Sequence, residues 1–439
     1  MWLPAAAGWN GKFQQAGNGG YAGRVPVASL ADGLKRGFAT AGTDDGHVGQ
    51  SPAFAPGHPE KVIDFGHRAV HLTAVHAKVV VEAFYGKAPS RSYFVGCSDG
   101  GREALMEAQR YPADFEGIVV GAPANNWTRL LTSGVWNWKA LTETQGSGIP
   151  VAKLGLIQRA VAAACDRLDR VTDGLIEDPR RCRFDPRPLQ CSSGDRPDCL
   201  TAPQLVALRK LYQGPRNPRT GERIYAGAVP GTEGVNGNWN LWMVASTQQP
   251  LPFIAWFGTT FYQSMVFEKS DWDYRTIDFD RDLATAVAKL APVLDATDPD
   301  LGPFRDRGGK MIQYHGWGDA AIPATGSIEY YQQVLAKLGR SVPEFYRLFM
   351  VPGMGHCGGG IGPASFGNDG PGVAALDRWV EKGVAPERII ATGIRPGEPI
   401  DDPAKVTKLA RPVCAYPKIA EYRGTGSADD AANFACRGR

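Results

Sequence analysis

Ser92-Tyr93-Phe94-Val95-Gly96-Cys97-Ser98-Asp99-Gly100-Gly101 passes from a β-rich run into a serine set between glycines, and Arg102 to Arg110 then read as a helix that stops before Pro112. Strand, tight turn and helix in that order place Ser98 at the carboxyl edge of a sheet. Residues 96 to 100 match the G-x-S-x-G pattern, in which a strained strand-to-helix turn presents the serine hydroxyl. Glycines on both sides let that turn fit against neighbouring backbone. The helix start leaves the N–H of Asp99 free to form one half of an oxyanion hole. Glycine-rich turns containing serine are common, so the pentapeptide gains its weight from its place between a strand and a helix.

Outward from this turn the same alternation continues. Residues 66 to 85 carry Val70, Ala74, Ala77, Val81 and Phe84 at helical spacing and end at Gly86, while Gly117-Ile118-Val119-Val120-Gly121 reads as a buried strand. After residue 308 the pattern returns: strand Lys310 to His315, helix Ser327 to Leu338, strand Phe345 to Val351, helix Val373 to Lys382 and strand Arg388 to Thr392. Strands alternating with helices predict a parallel sheet covered on both faces. The intervening segment is rich in aromatics and poor in βα units. It reads as an inserted lid over 127–300 that splits an α/β core into 1–126 and 301–439.

A neutral serine needs a base, and the base needs a group that fixes its tautomer. His356, in Pro352-Gly353-Met354-Gly355-His356-Cys357, and Asp319, in Tyr314-His315-Gly316-Trp317-Gly318-Asp319, each follow a predicted strand. The chain order Ser98, Asp319, His356 is that of an α/β-hydrolase. His67 and His71, four apart on a predicted helix, and the following His76 lack the companions of a metal motif and are assigned to helix packing; His47 and His315 are assigned structural or supporting roles.

The 439 residues are 43% hydrophobic and 21% charged, with a net charge of +3 and eight cysteines. That composition suits a large globular core and gives no reason to expect a nucleic-acid or membrane partner; a small, neutral or weakly charged ligand is expected. Short separations pair Cys165 with Cys182, Cys191 with Cys199 and Cys414 with Cys436, leaving Cys97 and Cys357 for each other. Disulfide Cα atoms lie ~4.4–6.8 Å apart, so this last bridge would confine Ser98 and His356 to one pocket. Reduced thiols or a zinc site compete with this reading, as does a thiol nucleophile at Cys97. Disulfides imply a secreted or periplasmic protein, although the chain opens Met1-Trp2-Leu3-Pro4 without the features of a signal peptide.

These residues resemble the tannase and feruloyl esterase family, which includes bacterial mono(hydroxyethyl) terephthalate hydrolase and is marked by a Cys-Ser-Asp-His-Cys arrangement. Here it falls on Cys97, Ser98, Asp319, His356 and Cys357. Supporting stretches are Trp9-Asn10-Gly11-Lys12-Phe13, Gly17-Asn18-Gly19-Gly20-Tyr21-Ala22-Gly23, Thr43-Asp44-Asp45-Gly46-His47 and Gly121-Ala122-Pro123. Members usually begin with a signal peptide and further N-terminal sequence, so the resemblance implies a truncated or misassigned start. The second oxyanion donor is assigned to Gly19 or Gly20 of the early glycine loop.

The resemblance also implies a structural Ca²⁺ site in the lid, held by the side chains of Asp166, Asp169 and Asp173 and the carbonyls of Val171 and Leu175, hard oxygen ligands of the kind this ion takes. A solvated acidic loop is the competing reading. No organic cofactor is expected. Among the lid aromatics, Phe253, Trp256 and Phe257 are assigned to the acyl pocket, others to the lid core. No lysine or arginine occurs between Arg223 and Lys269, which favours neutral aromatic acids of the ferulate type over a terephthalate carboxylate. The expected function is a serine esterase acting on aromatic esters; mono(hydroxyethyl) terephthalate hydrolysis and a non-catalytic calcium-dependent binding module are the alternatives.

Overall fold

The structure is a computed structural model that describes residues 1–367, 370–394 and 408–438. Its N-terminal part runs β1 (Lys12–Ala16), α1 (Val27–Lys35), β2 (Ala39–Ala41), α2 (Ala69–Tyr85), β3 (Arg91–Cys97), α3 (Asp99–Arg110) and β4 (Gly117–Gly121). The lid contributes α4 (Trp127–Thr142), α5 (Leu154–Cys165), α6 (Ala202–Gln213), α7 (Phe253–Phe261) and α8 (Arg281–Leu294). The core then resumes with β5 (Lys310–Gly316), α9 (Thr325–Leu338), β6 (Tyr346–Val351) and α10 (Pro371–Lys382), followed by β7 (Arg388–Ile394), β8 (Lys408–Cys414), β9 (Ile419–Tyr422) and β10 (Phe434–Arg437).

Six strands form one parallel sheet in the order β2-β1-β3-β4-β5-β6. Alternate side chains point to opposite faces. Phe94, Ile118, Val120, Met311 and Leu348 face the cluster under α2, α3 and α9, whereas Tyr93, Val95, Val119, Ile312 and Phe349 face Leu376 and Trp379 of α10. Burial on both faces explains why these strands read as continuous apolar runs. The helix expected over 66–85 starts later, at Ala69, behind a wider turn at Asp64–Arg68, and is capped by Gly86 at φ +71°.

One strand leaves the expected pattern. β7 does not extend the parallel sheet; it pairs antiparallel with β8 in a separate ribbon. Its residues alternate between exposed and buried from Arg388 to Ala391, the pattern of a strand packed on one face only.

Between β4 and β5 the chain adds no strand to the main sheet and forms the lid. Leu130, Leu131 and Val135 of α4, Phe261 of α7 and Leu283 of α8 pack with Tyr21, Phe54 and Phe65 of the core, so the lid is seated on the sheet's carboxyl edge. A second cluster joins α5, α6 and Trp239. No described helix is long and apolar enough to cross a membrane.

Candidate active site

The end of β3 and the start of α3 make the serine turn. Ser98 has φ +66° and ψ −120°, a backbone conformation that costs energy for any residue with a Cβ and recurs at functional sites. The turn is tight enough that a Cβ on Gly96 would lie 2.3 Å from the carbonyl oxygen of Gly100, and one on Gly100 would lie 2.7 Å from that of Asn18. Only glycine meets both contacts.

His356 and Asp319 reach Ser98 from the loops after β6 and β5. The Ser98 hydroxyl donates to His356 Nε2 at 2.9 Å, and His356 Nδ1–H donates to Asp319 Oδ2 at 2.8 Å. Asp319 is buried and accepts further bonds at Oδ1 from the amides of Ala321 (2.8 Å) and Ile322 (2.9 Å). His315 supports it from behind: Nε2–H is shared between Asp319 Oδ2 (3.2 Å) and the carbonyl of Ile322 (3.0 Å), while Nδ1 accepts from Ser327 Oγ at 2.7 Å. Burial alone would raise the Asp319 pKa, but attraction to His356 and the hydrogen bonds from both histidines outweigh it and hold the carboxyl well below its usual range. The lid braces this loop, since Asn238 Nδ2 donates to the carbonyl of Gly318 at 2.8 Å.

Cys97 and Cys357 are disulfide-bonded with Cα atoms 5.9 Å apart, and the pairs Cys165–Cys182, Cys191–Cys199 and Cys414–Cys436 are present as expected. No cysteine is free. A thiol nucleophile at Cys97 is thereby overturned, because the nucleophilic species is a free thiolate.

No backbone hydrogen bond among the described residues uses the amides of Gly19, Gly20 or Asp99 as donors, and Gly19 and Gly20 line the same cavity as Ser98. Their loop is pinned to α3: Asn18 N–H donates to Glu103 Oε2 (3.0 Å), and Gly100 N–H donates to the carbonyl of Asn18 (2.8 Å). Tyr21 adds a tie to the lid, donating its hydroxyl to the carbonyl of Phe257 at 2.9 Å.

Beneath this loop the sequence reading missed a buried acid cluster. Oxygens of Asp45, Asp99 and Glu103 lie within 4.8 Å of one another, and Arg102 Nε donates to Asp99 Oδ1 at 2.6 Å. Three buried carboxyls facing one guanidinium cannot all ionise. Burial, partly offset by Arg102 and reinforced by Glu103, pushes Asp99 up to about 7; burial and then Glu103 hold Asp45 well above its usual range. The sequence signal was the acidic pair flanking Gly100-Gly101-Arg102, which carries no spacing rule of its own.

A cavity of about 290 Å³ opens in front of Ser98 and His356. One wall is α4, through Trp127, Leu130, Leu131, Ser133, Gly134 and Asn137; the opposite wall includes Trp242, Ile254 and Phe257. No lysine, arginine, aspartate or glutamate lines it. Of the three aromatics assigned to the acyl pocket only Phe257 is there. Trp256 stacks edge-on against Tyr21 (5.7 Å) and Phe253 against Trp242 (5.2 Å), both behind the lining. Helix periodicity is the reason: Ile254 and Phe257 are one turn apart on the face turned to the cavity, and Trp256 points about 100° away. The α4 wall was legible as helical spacing from Trp127 onward, but nothing in the sequence said which face met the serine.

In the lid loop, Asp166 Oδ1 accepts from the amides of Asp173 (3.3 Å) and Gly174 (3.2 Å), Asp169 Oδ1 from Val171 (3.1 Å), and Asp173 Oδ1 from Leu175 (3.1 Å). Arg411 also reaches Asp173 Oδ2. Burial raises the pKa of Asp166 and lifts Asp169 to about 7, as for carboxylates short of positive charge. Among the described residues two other sets of side chains have ligand atoms close enough to hold a divalent ion: Asp45, Asp99 and Glu103, and His71, Glu107 and Asp114. In the second set His71 is ion-paired with Asp114 at 2.6 Å and stacked on Tyr111, and His67 Nδ1 meets the Tyr111 hydroxyl at 2.7 Å, so these histidines are engaged in helix packing.

Fold and site together define an ester hydrolase of the α/β-hydrolase class. The chain belongs to the tannase and feruloyl esterase family, whose profile matches residues 1–437. An uncharacterized esterase of Xanthomonas campestris is 43% identical over 99% of this chain and 81% of its own length. A mono(2-hydroxyethyl) terephthalate hydrolase of Piscinibacter sakaiensis is 34% identical over 99% of this chain and 80% of its own. The crystal structure of an esterase from Aspergillus oryzae superposes with a TM-score of 0.90 at 31% identity, covering 99% of this chain and 86% of that one.

Proposed function

We propose that the protein hydrolyses esters of neutral aromatic acids by two-step acyl transfer. The observation that carries this reading is the unbroken hydrogen-bonded chain Ser98–His356–Asp319 opening into an apolar cavity without a charged wall. Ser98 Oγ attacks the ester carbonyl while His356 takes its proton, and Asp319 stabilises the imidazolium. The amides of Asp99 and of Gly19 or Gly20 stabilise the oxyanion. His356 then protonates the departing alkoxide; water, deprotonated by the same histidine, releases the acid and restores Ser98. A terephthalate monoester would bring a carboxylate into a cavity with no cation to meet it, which favours ferulate- or gallate-type acids.

In this reading 1–126 and 301–439 are the catalytic domain and 127–300 the lid. The acidic lid loop takes Ca²⁺ through Asp166, Asp169, Asp173 and the carbonyls of Val171 and Leu175, with a purely structural role. Two buried, charge-starved carboxyls support the fit; Asp173 would have to share Arg411. The four disulfides support a secreted or periplasmic location.

The test is a panel of methyl ferulate, methyl gallate and mono(hydroxyethyl) terephthalate, run with the wild type and Ser98→Ala. Turnover of the neutral aromatic esters is expected in the wild type and a loss of ~10⁴-fold or more in Ser98→Ala. Undiminished turnover in the variant, or fluorophosphonate labelling that spares Ser98, sinks the assignment.

A further inference from the structure

We propose that Asn137 selects the acyl group, hydrogen-bonding a substituent at the far end of its ring, so that the preferred acids carry a phenolic hydroxyl. This rests on the esterase reading above and narrows its substrate class. Asn137 lies on the α4 wall of the cavity, is only 7% exposed, and its carboxamide oxygen has no hydrogen-bond partner among the described residues. An unpaired buried amide costs about 1–3 kcal/mol, a cost that a ligand group completing the bond removes.

Its position along α4 assigns it to the distal end. Ala124, just ahead of the helix, donates its amide to the carbonyl of Ser98 at 3.0 Å. A rise of 1.5 Å per residue then carries Asn137 ~15 Å along the axis from Trp127. The other polar groups on this wall do not compete: Ser133 Oγ already donates to the carbonyl of Leu130 at 2.6 Å, and the unpaired indole N–H of Trp127 belongs to the end near Ser98. A carboxamide both accepts from a phenolic O–H and donates to its oxygen, whereas an unsubstituted ring leaves it unpaired. Sites built around such a bond reject the analogue lacking it far more strongly than an apolar pocket rejects a missing methylene.

The experiment compares kcat/KM for methyl 4-hydroxycinnamate and methyl cinnamate in the wild type, Asn137→Leu and Asn137→Ala, with fluorophosphonate labelling of Ser98 to count intact sites. The wild type is expected to favour the hydroxylated ester by ~10–100-fold, and that ratio is expected to fall toward one in both variants. Loss of both activities in proportion, with the ratio kept, is the mark of simple structural damage and overturns the proposal. A wild type without the preference also overturns it while leaving the esterase reading standing; a wild type inactive on both esters defeats the esterase reading itself.

Discussion

Cys97 and Cys357 bring β3 and the loop after β6 to a Cα separation of 5.9 Å, each one residue from a member of the Ser98–His356 hydrogen bond. The two strands are not neighbours in the sheet; β4 and β5 lie between them. The bridge therefore spans the carboxyl edge and holds the two loops in register where no backbone pairing can.

Reducing this bridge is expected to lower turnover before the fold is lost. A misplacement of ~1 Å between reacting groups can cost ~10²-fold in rate. The Cys97→Ala/Cys357→Ala double variant tests the bridge alone, with kcat followed beside near-ultraviolet circular dichroism. Full activity in a folded, bridge-free protein would reduce the disulfide to a staple.

The hydrogen bonds at Asp319 predict unequal roles for its partners. Asp319→Asn keeps the shape but allows the wrong His356 tautomer, and kcat is expected to fall ~10⁴-fold. His315→Leu removes one of the bonds to the carboxylate; a fall of roughly tenfold in kcat with KM unchanged is expected of a positioning residue. A rise in KM alone after His315→Leu would contradict that role.

The acid cluster predicts how stability varies with pH. Asp99 sits at about 7 against an ordinary 3.8, so between these values the unfolded chain ionises while the folded one stays protonated, and stability falls as pH rises through that window. Asp319 acts oppositely: its contribution is present above the ordinary carboxylate pKa and is lost only as pH falls toward its depressed folded value. Asp45→Asn places a carboxamide where a protonated acid is favoured. It is expected to gain ~1–2 kcal/mol over the wild type at pH 8 and little at pH 4, read by thermal denaturation. Parallel curves for the two proteins would refute proton sharing in the cluster.

Calcium removal is expected to act on the lid and not on the chemistry. Chelation should lower Tm by several degrees while turnover per folded molecule stays constant, because binding to the native state alone adds stability by mass action. Asp169→Asn should abolish the calcium dependence. A Tm insensitive to both chelator and added Ca²⁺ would leave Arg411 as the cation of that loop.

Much of the fold was legible along the chain because a parallel sheet buried on both faces writes itself as apolar runs separated by amphipathic helices. The boundaries Gly117–Gly121 and Lys310 were read as they stand, and the disulfide partners followed from spacing. β7 was misplaced because a short strand's sequence does not say which sheet it joins; its alternating exposure, visible only in the folded protein, does.

The sequence by itself determined the serine turn, the chain order of Ser98, Asp319 and His356, and the cysteines that flank the first and last of them, because these depend on residue type and local backbone. Only the tertiary structure decided which face of α4 meets the serine, why Phe257 lines the cavity while Phe253 and Trp256 stand behind it, and that Asp45 meets Asp99 and Glu103 beneath the glycine loop. Those relations join residues distant in the chain. They are set by how the lid packs on the sheet edge and by which charges burial forces to share one guanidinium, and neither is written in any single stretch.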